Sequence, residues 1–149
     1  MIKKVDHIAF AVKDAAATRA RLEKVYGAKF IIEQTNEKGQ YRVMIFQLGE
    51  DMITLLESTS PEGFVAKHIE KFGEGVQHIG VEVDSLEQAK EKFAAEGLKY
   101  APGDDISGVR QEAILGARSA FGAILQVTEY LGKAKHLSAA ERLEMCWKK

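Results

Sequence analysis

The chain has 149 residues, of which 46% are hydrophobic and 29% charged, and its net charge is −1. This composition is ordinary for a globular protein, and the near-neutral charge gives no electrostatic reason to expect nucleic acid or a membrane surface as a partner. We find no signal peptide and no apolar run long enough to span a bilayer, so we expect a cytoplasmic protein. The single cysteine, Cys146, excludes an internal disulfide and fits a reducing compartment.

Two segments of the chain share one pattern. The segment from Val5 to Val12 matches the segment from Val76 to Val83, so that His7 corresponds to His78. Further along, residues 53–57 match residues 125–129. An internal repeat of this kind predicts two copies of one structural unit.

Each copy is predicted to be a βαβββ module within a single α+β domain of residues 1–149. In the first module, residues 4–58, Asp14 caps the helix and Gly27 ends it. A linker helix lies within residues 59–74, and the second module takes residues 75–131. The predicted strands span residues 4–12, 29–34, 41–48 and 51–57, then 75–84, a short stretch near 99, 110–115 and 123–130. Residues 137–149 form a last helix, docked on the module or on a partner subunit, or closing over the cavity as a lid.

The strand that begins at Gly75 has two unlike faces. Strand alternation puts the apolar residues from Ile79 to Val83 on one face, and His78 and Glu82 on the other. The second face, small or polar around one imidazole, is typical of a cavity wall. A lone buried histidine is usually structural, but His7 and His78 occupy equivalent places in a repeat, which favours contact with a metal or a substrate.

The two βαβββ units, each opened by a His, resemble the vicinal-oxygen-chelate superfamily, which includes glyoxalase I, methylmalonyl-CoA epimerases, fosfomycin-resistance proteins and ring-cleaving dioxygenases. The resemblance covers about residues 4–131 and is closest to the epimerases, through residues 5–9, 53–57 and 64–84. The last of these also resembles the catalytic module of 4-hydroxyphenylpyruvate dioxygenases. The resemblance implies an eight-stranded, U-shaped, glyoxalase-like cup that holds a divalent metal.

In the family, the first and last strands of each module supply the metal ligands. The resemblance therefore implies His7, His78 and Gln126 as ligands, with Thr54 at the fourth position. The family carries Glu where Gln126 stands. Glu129, three residues further on, should point to the other face and is a weaker alternative ligand. Without a carboxylate the site binds a divalent ion (Co, Zn, Ni, Mn or Fe) more weakly, or is free of metal.

Other positions bear on the substrate. The epimerases carry a carboxylate base at the place of Val43, so we expect efficient methylmalonyl-CoA epimerisation to be absent. Glu82 would be a general base if it is buried beside the ligand, although an exposed carboxylate at the strand end is the simpler interpretation. Thr54, Val43 and Arg110 are predicted to contact the substrate. Arg110, like Arg42, suits an anionic group, and ordinary surface charge is the alternative for both.

Two classes of function follow. The first is a metal-assisted isomerase or lyase for acyl-thioesters or 2-oxo acids, in which the ion polarises a carbonyl while a base moves the α proton. The second is a metal-free protein that sequesters a small molecule in the same cup, or a dioxygenase-like single unit. In either case we expect a homodimer whose ligand is a small molecule.

Overall fold

The computed structural model describes residues 1–147, with side chains up to Cys146. Within these residues it has eight strands, four α-helices and one short 3-10 helix, Gly132–His136. The strands are β1 Ile2–Ala11, β2 Lys29–Asn36, β3 Tyr41–Leu48, β4 Asp51–Ser58, β5 Gly75–Val83, β6 Tyr100–Pro102, β7 Arg110–Leu115 and β8 Ile124–Tyr130. The helices are α1 Ala15–Tyr26, α2 Phe64–Phe72, α3 Leu86–Ala95 and α4 Ala139–Trp147.

The strands form one sheet in the order β2-β3-β4-β1-β5-β8-β7-β6. Within each module the first and last strands are parallel, β1 with β4 and β5 with β8. The hairpin pairs β2–β3, β3–β4, β6–β7 and β7–β8 are antiparallel. This confirms the predicted α+β class and the βαβββ order of each copy. In the part of the chain that the structure describes, no helix has both the length and the apolar character needed to cross a membrane.

The chain forms two compact units: the first unit, residues 7–77, and the second unit, residues 1–6 with 78–149. In the first unit, α1 packs on one face of the sheet through a core that includes Ala15, Met44, Phe46 and Leu55. Asp14 caps α1 as predicted, because its side chain accepts a hydrogen bond from the Ala17 backbone N–H. The helix ends at Gly27, whose φ of 67° is the left-handed conformation that glycine adopts most easily.

The second unit repeats this arrangement with α3. Its core joins Leu86 of α3 to Val81, Val83, Leu125 and Val127 of β5 and β8. Alternation along β5 and β8 therefore turns these apolar residues toward α3, which confirms the predicted apolar face of β5. The Ser85 side chain caps the helix by accepting from the Gln88 backbone N–H. The opposite face of these strands is left for other contacts.

A glutamate carboxylate near the end of a strand accepts a backbone N–H at the N-terminus of α1, and another does so for α3. Glu57, near the end of β4, accepts the Ala15 backbone N–H at 2.6 Å. Glu129, near the end of β8, accepts the Leu86 backbone N–H at 2.8 Å. A carboxylate there satisfies a free N–H and interacts favourably with the positive end of the helix dipole. Both acids thus lie on the helix side of the sheet, where their parity along the strand predicts them.

Candidate functional site

The strand registers place the candidate ligands of the second unit on one face. Gly80 of β5 and Ile114 of β7 flank Gln126 of β8. His78 lies two residues before Gly80 and shares its face. Because Leu125 and Val127 pack on α3, Gln126 points to the side away from that helix. We call this side the polar face; its residues are His78, Glu82, Arg110, Glu112, Gln126, Thr128 and Tyr130.

The first unit has the same geometry with different residues. Ala9 of β1 pairs with Thr54 of β4, and His7 lies two residues before Ala9. His7 therefore has the same position in the strand register relative to Thr54 as His78 has relative to Gln126. The surroundings differ, because Val43 and Ile45 on the neighbouring strand are both 3% exposed, so this face is apolar. The predicted substrate-contacting residues Thr54 and Val43 share this buried face.

At the centre of the polar face is Glu112, which the sequence reasoning missed. Its side chain is 2% exposed and Oε1 accepts hydrogen bonds from Gln126 Nε2 at 2.6 Å and from Thr128 at 3.4 Å. Oε1 also lies 3.1 Å from Arg110 Nε, and Oε2 accepts the Asp104 backbone N–H. Charged and neutral donors therefore surround both oxygens of this buried carboxylate. The signal was available, since alternation in β7 sets Glu112 opposite the apolar Ala113 and Leu115.

Arg110, a predicted anchor for an anionic substrate, is committed to this cluster. Its side chain is mostly buried beside Glu112. Burial alone would lower the pKa of the guanidinium, but the charge of Glu112 raises that pKa above its ordinary value. Arg42, the other candidate, lies in the first unit and pairs with Glu33 and Glu57. Both arginines therefore already have carboxylate partners.

A second buried network docks α4 on the second unit. Arg142 of α4 is 4% exposed and donates to Glu82 from Nη1 at 2.6 Å. It also donates to the backbone carbonyls of Ala134 and Lys135, and its guanidinium carbon lies 4.1 Å from the centre of the Tyr130 ring. A capping box opens the helix, with Ser138 and Glu141 bonded reciprocally. Of the three predicted placements of this helix, docking on its own module is the one that these contacts support.

The interpretation of Glu82 as an exposed carboxylate is wrong. It is only 3% exposed, because Arg142, sixty positions along the chain, covers it. Burial by itself raises the pKa of the Glu82 carboxyl, but hydrogen bonds and charge from Arg142 and Lys3 bring that pKa below its ordinary value. A carboxylate stabilised in this way is a weak base, which argues against the predicted general-base role.

The Glu82 environment predicts a pH dependence of stability. A carboxyl whose pKa is lowered on folding stabilises the fold above its unfolded pKa, and this contribution is lost as the pH falls through the folded pKa. We expect the stability advantage of the wild type over Glu82→Gln to be full at pH 7 and to shrink below about pH 4.5. Urea unfolding between pH 7 and pH 3 measures it. A stability difference that stays constant over this range would contradict the assignment.

The orientation of the Gln126 amide bears on whether the predicted ligands suit a metal ion. A carboxylate without protons only accepts, so Gln126 must turn Nε2 toward Glu112, and Oε1 takes no part in this contact. An amide oxygen with two imidazoles is a chemically reasonable set for a divalent transition ion. Glu129 lies on the opposite side, bonded to α3 and 3.6 Å from Lys135. Among the residues described, no three His, Cys, Asp or Glu side chains form a metal-binding group, so a site there depends on the Gln126 amide.

Comparison with known proteins identifies a matching family model and a similar protein. Residues 6–116 match the family model of the Glyoxalase/Bleomycin resistance protein/Dioxygenase superfamily. The uncharacterized protein YqjC of Bacillus subtilis is 25% identical over 134 residues, covering 88% of this chain and 95% of that protein.

Solved structures show the same fold. The hypothetical protein BH1468 of Bacillus halodurans has a TM-score of 0.78 and 29% identity, over 88% of this chain and 96% of that one. A Streptomyces coelicolor methylmalonyl-CoA epimerase variant in complex with 2-nitronate-propionyl-CoA has a TM-score of 0.76 and 21% identity, over 87% of this chain and 98% of that one. The Mycobacterium tuberculosis methylmalonyl-CoA epimerase has a TM-score of 0.77 and 17% identity, over 91% of this chain and 93% of that one.

Proposed function

Because the chain belongs to the Glyoxalase/Bleomycin resistance protein/Dioxygenase superfamily, we propose that it binds a small carbonyl or acyl-thioester compound for metal-assisted isomerase-type chemistry. The metal ligands in this proposal are His7, His78 and the Gln126 amide oxygen. One observation carries the proposal. In each unit the histidine lies two residues before the position that pairs with the equivalent residue of the last strand, Thr54 or Gln126.

Each residue of the proposed site would have its own role. His7 and His78 would hold the ion as neutral imidazoles, and Gln126 would add one oxygen donor. A divalent ion, when bound, supplies positive charge that stabilises a developing enolate. Thr54 and Val43, which share the buried face of the first unit, would contact the acyl group.

The missing base restricts the chemistry. Val43 has no proton acceptor, and the Arg142 ion pair makes Glu82 a weak base. We therefore expect efficient methylmalonyl-CoA epimerisation to be absent. We favour a substrate that itself contains the group that accepts the proton. The alternative function is sequestration of a small molecule without metal, which the apolar face around Val43 and Ile45 favours. For either function we propose a cytoplasmic homodimer.

Metal analysis of the untagged protein tests the proposal. We expect one divalent ion per chain after purification or reconstitution. His7→Ala and His78→Ala should each weaken cobalt binding by about 100-fold or more, because loss of a ligand costs at least as much as loss of a group that supports one. Calorimetric titration with cobalt measures both effects.

The matched control is His136→Ala, a change at an exposed histidine of the 3-10 helix, which should leave cobalt affinity unchanged. Absence of stoichiometric metal even after reconstitution would refute the metal-assisted proposal and leave the metal-free binder.

A further inference from the structure

We propose that Glu112 is a positioning residue that turns the Gln126 amide oxygen toward the ligand and supplies the negative charge that Gln126 itself lacks. This inference rests on the proposed function, since it concerns Gln126 in its proposed role as a metal ligand. It assigns a role to a side chain that does not touch the ion. The charge would act through Gln126.

The first step is the orientation of the amide. The 2.6 Å contact joins Gln126 Nε2 to Glu112 Oε1. The reverse orientation would set the amide oxygen against a carboxylate oxygen, which is repulsive. The amide is therefore held in one of its two orientations, and Oε1 is the free end.

The second step is the polarisation of the amide. When an amide N–H donates a hydrogen bond to an anion, electron density shifts toward the carbonyl oxygen of the same amide. Oε1 therefore becomes a stronger electron-pair donor to a cation. Glu112 is 2% exposed, so water screens its charge little. Groups that hold a metal ligand through its other atom commonly tune the affinity of the ion in this way.

The third step is the rigidity of the pair. Oε2 accepts the Asp104 backbone N–H at 3.0 Å, and the Glu112 backbone N–H donates to Asp105 Oδ1 at 2.7 Å. Gly103 packs so tightly here that a Cβ added to it would clash with the Cβ of Glu112. The carboxylate is consequently held in place before any ligand arrives.

The repeat shows that Glu112 and Gln126 belong together. Thr128 pairs with Glu112 in β7, and its counterpart in the first unit, Leu56, pairs with Val43 in β3. Glu112 therefore stands where Val43 stands in the other copy, and Gln126 stands where Thr54 stands. Both polar residues occur in one copy and neither in the other, as expected if they act as a pair.

The test is cobalt titration of Glu112→Gln, which keeps the size of the side chain and removes its charge. We expect the dissociation constant to rise about 10- to 100-fold relative to wild type. The exchange variant Glu112→Gln/Gln126→Glu returns one negative charge to the pair and should recover wild-type affinity or exceed it. Because the exchange variant keeps a negative charge close to Arg110, its cobalt affinity can still be measured if Glu112→Gln does not fold.

Glu129→Gln is the matched control. It removes a half-buried carboxylate on the opposite side of the sheet, and should lower the melting temperature while leaving cobalt affinity unchanged. Cobalt binding by wild type together with binding by Glu112→Gln within twofold would overturn this inference alone. An equal loss of affinity in Glu129→Gln would also overturn it, by tracing the effect to stability. Failure of the wild type to bind cobalt would refute the proposed function, and this inference with it.

Discussion

Replacement of Arg142 by Met should lower the free energy of unfolding by about 3–5 kcal/mol, the usual effect of removing one partner from a buried ion pair. Met keeps most of the volume of the side chain but none of its donors. Glu82 would keep Lys3 and Lys4, whose side chains are about half exposed, as partners for its carboxylate. Asp6, 3.9 Å from Arg142, would also lose a nearby positive charge. Urea unfolding at pH 7 measures the loss.

Two further variants make this result interpretable. Arg21→Met, at an exposed position of α1, should change stability by no more than about 0.5 kcal/mol. Adding Glu82→Gln to Arg142→Met should restore part of the loss, because it removes the uncompensated buried charge. A loss below about 1 kcal/mol for Arg142→Met alone would show that the ion pair does not hold α4.

Gln126→Glu should destabilise the metal-free protein by about 2–4 kcal/mol, since it sets two carboxylates in contact where a donor now meets an acceptor. Nε2 lies 2.6 Å from Glu112 Oε1, and Glu112 is buried. Cobalt should bind this variant more tightly than wild type and recover part of the stability, because a charged oxygen replaces a neutral one at the ion. Melting temperatures with and without cobalt measure both effects.

The control for this variant is Gln88→Glu, the same chemical change at an exposed position in the first turn of α3, where a carboxylate is favourable. It should not lower stability. Gln126→Glu could instead have the melting temperature of the wild type and bind cobalt no more tightly. In that case Gln126 does not face a ligand site, and both the polar-face assignment and the metal proposal are wrong.

Much of the fold could be predicted because its signals are local. The alternation in β5 sends His78 and Glu82 to one face and the apolar residues to the other, and the core beneath α3 confirms it. The same rule correctly placed Glu129 on the helix side of β8. The capping residue Asp14 marked the start of α1, since a cap involves atoms only a few positions apart.

The contacts within the candidate site were less predictable. Alternation tells which face a residue takes, but not what covers that face. Glu82 was expected to be exposed because Arg142 follows it by sixty positions and no local pattern connects the two. Glu112 could have been found by applying the alternation rule to β7, where an acid interrupts a strand otherwise suited to a core. Its bond to Gln126 depends on the register of β7 and β8, which the sequence does not specify.

The bond between Tyr130 and Asp6 also bears on how the two units form. It joins residues 124 positions apart, so the second unit must close a loop nearly as long as the chain. The first unit is one continuous stretch, residues 7–77, and closes only loops within it. The entropy lost on closing a loop grows with its length, and contacts between distant residues slow folding. The polar face and its α4 cover thus belong to the unit with the larger entropic cost of closure.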